Sequence, residues 1–145
     1  MRRNAFRLSA RHQFWLHGTF ALLFLSGVLW LVFHHYLRAH GDFGETANPA
    51  EPWFLKAHGA GAMLFLLLLG TVLPGHVRRA WHARRNRFTG AVFLGVNGLL
   101  IITGYGLYYF GGEKLRPVVS ALHWIVGLLF PLVLIWHIRA GRKLR

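Results

Sequence analysis

The sequence contains a run of 21 residues, Val118–Ile138, that carries no formal charge. At about 1.5 Å per residue, a helix of this length crosses the hydrocarbon layer of a membrane, which is about 30 Å thick, so the run predicts a transmembrane helix. The run also includes His123 and His137, which lie 14 positions apart (137 minus 123). On a helix this spacing returns the two rings to nearly the same face, about 40° out of register, at depths that differ by about 21 Å.

Two histidines on one face of a membrane helix need an explanation, because ionisable groups are costly in lipid and normally face the interior of a bundle. Histidine is also the usual axial ligand of haem iron. Two ligands on one face at two depths are what two stacked haems require. The alternative is a pair of histidines near the membrane surfaces that only hydrogen-bond to their neighbours, and this run alone leaves both interpretations open.

The composition favours a membrane protein, since 54% of the 145 residues are hydrophobic and only 14% are charged. The sequence has no cysteine, which excludes disulfides, iron–sulfur clusters, thiolate metal sites and covalently attached haem, so that any haem must be held by histidine. The basic residues that give the net charge of +13 flank hydrophobic spans. Their distribution therefore predicts how the protein is oriented in the membrane, and no nucleic-acid partner is expected.

Four membrane spans are predicted from the whole sequence. We predict helices over residues 14–36, 53–74, 88–110 and 118–139, in a single integral membrane domain of residues 1–145. A basic segment precedes the first span, but the span is too long for a signal-peptide core and ends without a small-residue cleavage site. Residues 37–52 are predicted as a loop, Pro74-Gly75 as the break after the second helix, and Pro52 and Pro117 as helix starts.

Lysine and arginine are divided unevenly between the two ends of these helices. The amino-terminal tail, residues 77–87 and the tail from residue 139 hold 13 of them, whereas the opposite ends hold four, together with all four acidic residues. By the positive-inside rule, both termini are predicted to be cytoplasmic. The predicted fold is an all-α membrane protein, a four-transmembrane-helix antiparallel bundle in which cofactor sites are built from side chains on facing helices.

The two halves of the chain contain a weak internal repeat. The segments PWFLKAH and PVVSALH, which end at His58 and His123, share a proline and a histidine six residues apart, and LFLSGVLWLVF around Gly27 resembles LIITGYGLYYF around Gly104. The alternative is chance similarity between apolar segments. If the repeat is real, the first helical hairpin resembles the second.

Depth along the helices selects among the ten histidines. His58 and His123 each lie six residues past a helix-starting proline on helices that run the same way, so they are predicted to reach one level and to form the outer iron-ligand pair. Counting 14 residues inward from His58 reaches Val72, which leaves His76 about 6 Å too deep for an inner level.

The inner pair is predicted to be His17 and His137. Counting 14 residues outward from His17 reaches Leu31, and His35 overshoots that position by about 6 Å. Helix tilt can absorb a few ångströms, so His35 and His76 are kept as reserve ligands. Each lies 18 residues from the histidine on its own helix (35 minus 17, and 76 minus 58) and shares its face.

This pattern of histidines, one early in each of the first two helices and two spaced by 14 in the fourth, resembles a known class of membrane protein. It is similar to the dihaem membrane cytochromes b of the bacterial cytochrome b561 class and to the γ subunits of formate dehydrogenase and nickel–iron hydrogenase. The segment Asn86-Arg87-Phe88-Thr89-Gly90, followed by Thr103-Gly104, also resembles a group of short bacterial cytochrome b-like proteins. The resemblance covers all four spans.

The resemblance implies a multi-pass protein of the bacterial cytoplasmic (inner) membrane that holds two b haems. His58 and His123 would ligate the haem nearer the periplasm, and His17 and His137 the haem nearer the cytoplasm, close to which a quinone exchanges electrons. The chain departs from these families in having no extra amphipathic helix or large loop of the kind that contacts a dehydrogenase subunit. The sequence leaves open whether the protein acts alone, as a homo-oligomer or as a subunit of a larger complex.

A haem iron with two histidine ligands has no open position for substrate, so electron transfer is the predicted function, and neither a catalytic residue nor a stand-alone hydrolase or transferase activity is assigned. The expected partners are a quinone or quinol and a periplasmic or membrane redox protein. Lys56 and Arg116 near the outer ligands, and Arg11 and Arg139 near the inner ones, are candidate partners for haem propionates or else anchors at the lipid surface. Two alternatives are a metal-handling transporter that uses the histidines and a haemless membrane anchor subunit.

Overall fold

The computed structural model of the chain describes residues 8–109 and 112–143, and most of these residues are helical. The chain divides into two compact units, Met1–His76 and Val77–Arg145, and each unit contains one pair of long antiparallel helices. Within the described ranges, four helical segments are long and apolar enough to cross a membrane: Ala10–Tyr36, Glu51–His82, Arg87–Tyr109 and Leu115–Lys143. These segments confirm the four predicted spans. Three arginines of the amino-terminal tail, Arg2, Arg3 and Arg7, lie outside the described residues.

The first unit, which we call hairpin 1, packs helix α1 (Ala10–Tyr36) against helix α2 (Glu51–Val72). Helix α1 begins four residues before the predicted start because the Ser9 side chain caps it, accepting a hydrogen bond from the backbone N–H of His12 (3.2 Å). Pro52 lies in the first turn of α2, as predicted. The interface between the helices includes edge-on contact of Phe33 with Phe54, whose ring centroids are 4.8 Å apart.

The connection between α1 and α2 was predicted as a loop, and this prediction is wrong in part. It contains two short antiparallel strands, β1 (Ala39–Gly41) and β2 (Gly44–Thr46), in which Gly41 pairs with Gly44. Gly44 has a φ of 113°, a conformation that is open to glycine and rare for other residues. The two-residue turn therefore forms where the sequence offers glycine on both sides of it.

The second helix does not break at Pro74-Gly75, so this prediction is wrong. A π-helical turn, Leu73–Val77, follows α2, and a short helix α3 (Arg78–His82) continues from it. Proline has no backbone N–H and removes one hydrogen bond from an α-helix. A π turn changes the hydrogen-bond spacing locally, and this change accommodates the missing donor without ending the helix.

The second unit, hairpin 2, packs helix α4 (Arg87–Tyr109) against helix α5 (Leu115–Lys143). Helix α5 starts at Leu115, two residues before Pro117, the proline that is predicted to start this helix. Proline is tolerated there because the first N–H groups of a helix have no partner within it. Phe93 stacks on Phe130 near the middle of the interface, with ring centroids 5.2 Å apart. Pro131 lies inside α5, between the two histidines of this helix.

Most large apolar side chains of both hairpins point outward. Within the described residues, the buried apolar side chains are Phe65, Val72 and Phe130, whereas Met63 and Leu67 in hairpin 1 and Ile102 and Leu132 in hairpin 2 are each more than 60% exposed. Covering one such side chain is worth about 1.5–3 kcal/mol. The outer faces of the helices are thus suited to a lipid environment.

Candidate functional site

His123 is held against α4 by two neighbouring residues, Thr103 and Gly104. The Nδ1 atom of His123 lies 2.8 Å from the Thr103 hydroxyl oxygen, and that hydroxyl donates its single proton to the carbonyl oxygen of Leu99 (2.8 Å). When the hydroxyl proton is directed to that carbonyl, the hydroxyl oxygen accepts from His123, an arrangement that favours the ring proton on Nδ1. A Cβ atom built on Gly104 would lie 3.3 Å from Cε1 of the same ring, which shows how closely the ring approaches the backbone of α4.

His58 has the same surroundings in hairpin 1. Its Nδ1–H donates to the carbonyl oxygen of Leu23 (2.9 Å) and lies 3.3 Å from the Ser26 hydroxyl oxygen. Since a carbonyl can only accept, the ring proton is again on Nδ1. A Cβ atom on Gly27 would lie 3.2 Å from Cε1 of His58. The Ser26-Gly27 and Thr103-Gly104 segments that define the internal repeat thus make the same contact in both hairpins.

His137 lies against a third pair of this kind, Thr89-Gly90. Its Nδ1 is 3.1 Å from the Thr89 hydroxyl oxygen, whose proton is donated to the side-chain oxygen of Asn86. A Cβ atom on Gly90 would lie 3.7 Å from Cε1 of His137, and the ring also stacks on Phe93, with centroids 5.4 Å apart. His123 and His137 therefore both lie on the face of α5 that packs on α4, which confirms that the spacing of 14 places them on one face at two depths.

We call each Ser/Thr-Gly pair a histidine seat, that is, a hydroxyl and a bare α-carbon on one helix that contact a histidine ring of the other helix in the hairpin. The two seats on α4, at Thr89 and Thr103, are 14 residues apart (103 minus 89), like the two histidines on α5. A seat binds Nδ1 and thereby makes Nε2 the ring nitrogen that would coordinate a metal. The seats orient each ring, and a neutral imidazole held in this way presents its other nitrogen to a metal.

The corresponding contact at the inner end of hairpin 1 has a different arrangement. Counting 14 residues inward from Ser26 reaches His12, and the equivalent count from His58 reaches Val72. His12 makes a hydrogen bond across the hairpin to the neighbouring Thr71, with its Nε2 atom 2.9 Å from the hydroxyl oxygen. Histidine and threonine have thus exchanged helices relative to hairpin 2, and the nitrogen farther from the backbone is the one engaged.

His17, the predicted inner ligand from hairpin 1, has an exposed side chain. Its ring makes no hydrogen bond or ring contact with the described residues, and a Cβ on the adjacent Gly18 would meet nothing within 4 Å. His17 lies nine residues inward from Ser26 (26 minus 17), which is about 13.5 Å along α1. The assignment of His17 stays a prediction.

The reserve ligands lie outside the seats. His35 is exposed at the end of α1, where its ring contacts those of His34 and Tyr36. His76 is half-buried in the π turn. A continuous α-helix would place His76 about 6 Å too deep for the inner level. The π turn changes both the advance along the helix axis and the face on which the His76 side chain lies.

The four predicted propionate partners are all exposed. The ammonium group of Lys56 lies 4.5 Å from the centroid of the Trp53 ring, a cation–π arrangement typical of a membrane surface. Arg11, Arg116 and Arg139 lie near the helix ends, as the sequence predicts. Their positions suit either interpretation, contact with an anionic group or anchoring at the lipid surface.

Three features of the structure were missed by the sequence analysis. One is the role of the seat hydroxyls, for which the repeated Ser-Gly and Thr-Gly pairs are the signal. Another is the role of Asn86, which the sequence shows only as the first residue of the segment Asn86-Arg87-Phe88-Thr89-Gly90. The third is a hydrogen-bonded pair at the outer end of hairpin 1, where the buried Glu51 carboxylate lies 2.9 Å from Nδ1 of His34 and also accepts from the backbone N–H of Asn48 (3.0 Å).

The donor set fits haem b in its chemistry. Three of the four predicted ligands, His58, His123 and His137, have imidazoles held at Nδ1 beside glycines that let the ring approach the neighbouring helix, and the chain has no cysteine. No protein-family model, no curated protein and no solved structure matches this chain. The function of the chain is therefore inferred from its own residues.

Proposed function

We propose that this chain is a dihaem b-type cytochrome of the bacterial cytoplasmic membrane that passes electrons between the quinone pool and a periplasmic or membrane redox partner. The observation that carries the proposal is the histidine seat, which recurs at His58, His123 and His137. Histidines that ligate metals commonly donate their second ring N–H to a neighbouring acceptor, which fixes the tautomer and the orientation of the ring. Each seat supplies such an acceptor.

The ligand pairs follow the sequence analysis, with His58 and His123 for the outer haem and His17 and His137 for the inner haem. When bound, haem supplies one-electron redox chemistry, and iron with two histidine ligands leaves no position for substrate. The chain's own contribution is to fix the ring planes of His58, His123 and His137 and to surround them with largely apolar helices. Lys56 and Arg116, and Arg11 and Arg139, are the cations available to the propionates at the two ends.

The first prediction concerns cofactor content. Purified full-length protein should contain two non-covalent b haems per chain, because the histidines define two levels. A pyridine haemochrome assay combined with protein quantitation measures this ratio, and metal analysis of the same sample distinguishes the alternatives. Zinc, copper or nickel in place of haem would favour a metal-handling protein, and protein without haem or metal would favour an anchor subunit. One haem per chain would contradict the two-level arrangement.

The second prediction concerns orientation, with both termini in the cytoplasm. The tails and residues 77–87 hold 13 of the 17 basic residues, and no acidic residue occurs between Glu51 and Glu113. Alkaline phosphatase, which is active only in the periplasm, should therefore be active when fused near Asp42 and inactive when fused after Arg145. The reverse result would contradict the orientation and would exchange the outer and inner labels of the haems.

A further inference from the structure

Asn86 immediately precedes helix α4 and has a φ of 52°, in the left-handed region that asparagine tolerates better than most residues. Its backbone carbonyl accepts the N–H of Gly90 (3.1 Å), which starts the hydrogen-bond pattern of the helix. Its side chain points toward α5 instead of toward solvent. The side-chain nitrogen donates to the backbone carbonyl of His137 (3.2 Å), lies 3.5 Å from Nδ1 of the same residue, and lies 3.4 Å from the Cβ position of Gly141.

The same side chain also completes the seat of His137. In the two outer seats, the hydroxyl proton of Ser26 or Thr103 goes to a carbonyl one turn earlier in its own helix, Leu22 or Leu99. Thr89 is only the third residue of α4, so no earlier helical turn provides that carbonyl. The side-chain oxygen of Asn86 accepts the Thr89 proton in its place.

The group that accepts the Thr89 hydroxyl proton decides which ring nitrogen of His137 carries a proton. With the hydroxyl proton directed to Asn86, the Thr89 oxygen can only accept from His137. This contact, at 3.1 Å, is closer than the 3.5 Å between Nδ1 and the Asn86 nitrogen, and it favours the ring proton on Nδ1. Without Asn86, the hydroxyl is able to rotate and donate to Nδ1 instead, which favours the tautomer with its proton on Nε2. That tautomer has no lone pair on the nitrogen that would face a metal.

We propose that Asn86 is a positioning residue for His137, which fixes its tautomer through Thr89 and its backbone through the carbonyl contact. The link of this residue to a haem rests on the proposed function, but its effect on the His137 tautomer does not. Asn86 acts where the helix itself cannot, because the inner seat lies at the very start of α4. The outer seats need no such residue.

The chain offers a matched control for this proposal. Arg84 also has a left-handed backbone, with a φ of 54°, and its side chain makes no hydrogen bond within the described residues. Glycine accepts this conformation at both positions. Comparing Asn86→Gly with Arg84→Gly therefore separates the loss of the Asn86 side chain from a general change in the connection before α4.

The direct measurement is the ¹⁵N spectrum of histidine-labelled, full-length protein freed of any cofactor, at a pH where imidazole is neutral, with the His137 signals assigned through His137→Gln. We expect the Nδ1-protonated form of His137 in the unmodified protein and in Arg84→Gly, and a loss of that form in Asn86→Gly. Asn86→Gln, which moves the amide by one methylene, should give the same loss, and it decides the question if Asn86→Gly does not insert. Retention of the Nδ1-protonated form in these variants, or an equal change in Arg84→Gly, would overturn the proposal.

A redox titration of haem-loaded protein adds a second readout. Asn86→Gly should shift the midpoint potential of one haem component and leave the other unchanged, because only the inner ligand is affected. If the unmodified protein holds no haem, the proposed function fails while the ¹⁵N experiment still tests Asn86. If haem is present but both midpoint potentials stay unchanged in Asn86→Gly, the positioning role fails and the proposed function stands.

Discussion

His123→Ala is expected to lose one of two haems, about half of the haem absorbance, because an iron that keeps a single axial histidine is weakly held. His58→Ala should lose the same spectral component, since the two residues form the predicted outer pair. His17→Ala and His137→Ala should lose the other component. Redox difference spectra of membranes, with immunoblots to confirm equal amounts of inserted protein, show whether the variants fall into these two groups.

The controls for this series are histidines whose depth differs from that of the predicted ligands. His35→Ala should keep both haems, because His35 lies about 6 Å beyond the outer level counted from His17. His76→Ala should also keep both. If His76→Ala removes the inner haem while His17→Ala retains it, helices α2 and α5 carry both haems between them. The π turn around His76 gives this outcome a structural basis, because it alters the depth and direction of that side chain.

His12→Ala belongs in the same series. Its position, 14 residues from Ser26, matches the spacing between the two seats on α4, but its Nε2 atom already binds Thr71. We therefore expect no loss of haem from His12→Ala. If the inner haem is lost in this variant, the ring of His12 must turn away from Thr71 when haem binds, and His12 replaces His17 in the inner pair.

The four long helices could be predicted from sequence, because uncharged runs of 20 or more residues have few other solutions. The residues at which they begin and end could not, since these depend on local hydrogen bonds. Ser9 extends α1 past the charged Arg11, and α5 begins ahead of Pro117 because its first N–H groups need no partner. The π turn was missed for a related reason, since Pro74 removes one donor but does not determine whether a helix stops or shifts its register.

The candidate site could be predicted as far as the spacing of His123 and His137, because helical geometry fixes their common face. The seats could not, since the hydroxyl that meets each ring depends on the register between two helices. The repeat around Gly27 and Gly104 was the available signal, and the structure shows why these glycines recur, since each one faces a histidine ring. Asn86 was beyond the reach of sequence reasoning because its role arises from the point at which α4 begins.

Gly104→Val is expected to remove the outer haem while the protein still inserts into the membrane. A Cβ atom at this position would lie only 3.3 Å from Cε1 of His123, and the two additional methyl groups of valine reach farther toward the ring. Overpacking of this kind typically costs about 1–3 kcal/mol, and it is relieved most easily by turning the histidine side chain away from its seat. The outer ligand would then be misplaced although no ligand has been changed.

Gly95→Val is the matched control, because Gly95 lies on the same helix, is exposed, and has nothing within 4 Å of its Cβ position among the described residues. Both haems should be retained in Gly95→Val, and Gly27→Val should repeat the effect of Gly104→Val, since Gly27 faces His58 at 3.2 Å. Difference spectra normalised to immunoblots measure all three variants. A full complement of haem in Gly104→Val and Gly27→Val would show that the close approach of each ring to glycine is not needed for haem binding. A loss of haem in Gly95→Val as well would mean that valine in these helices acts through folding and not through the seats.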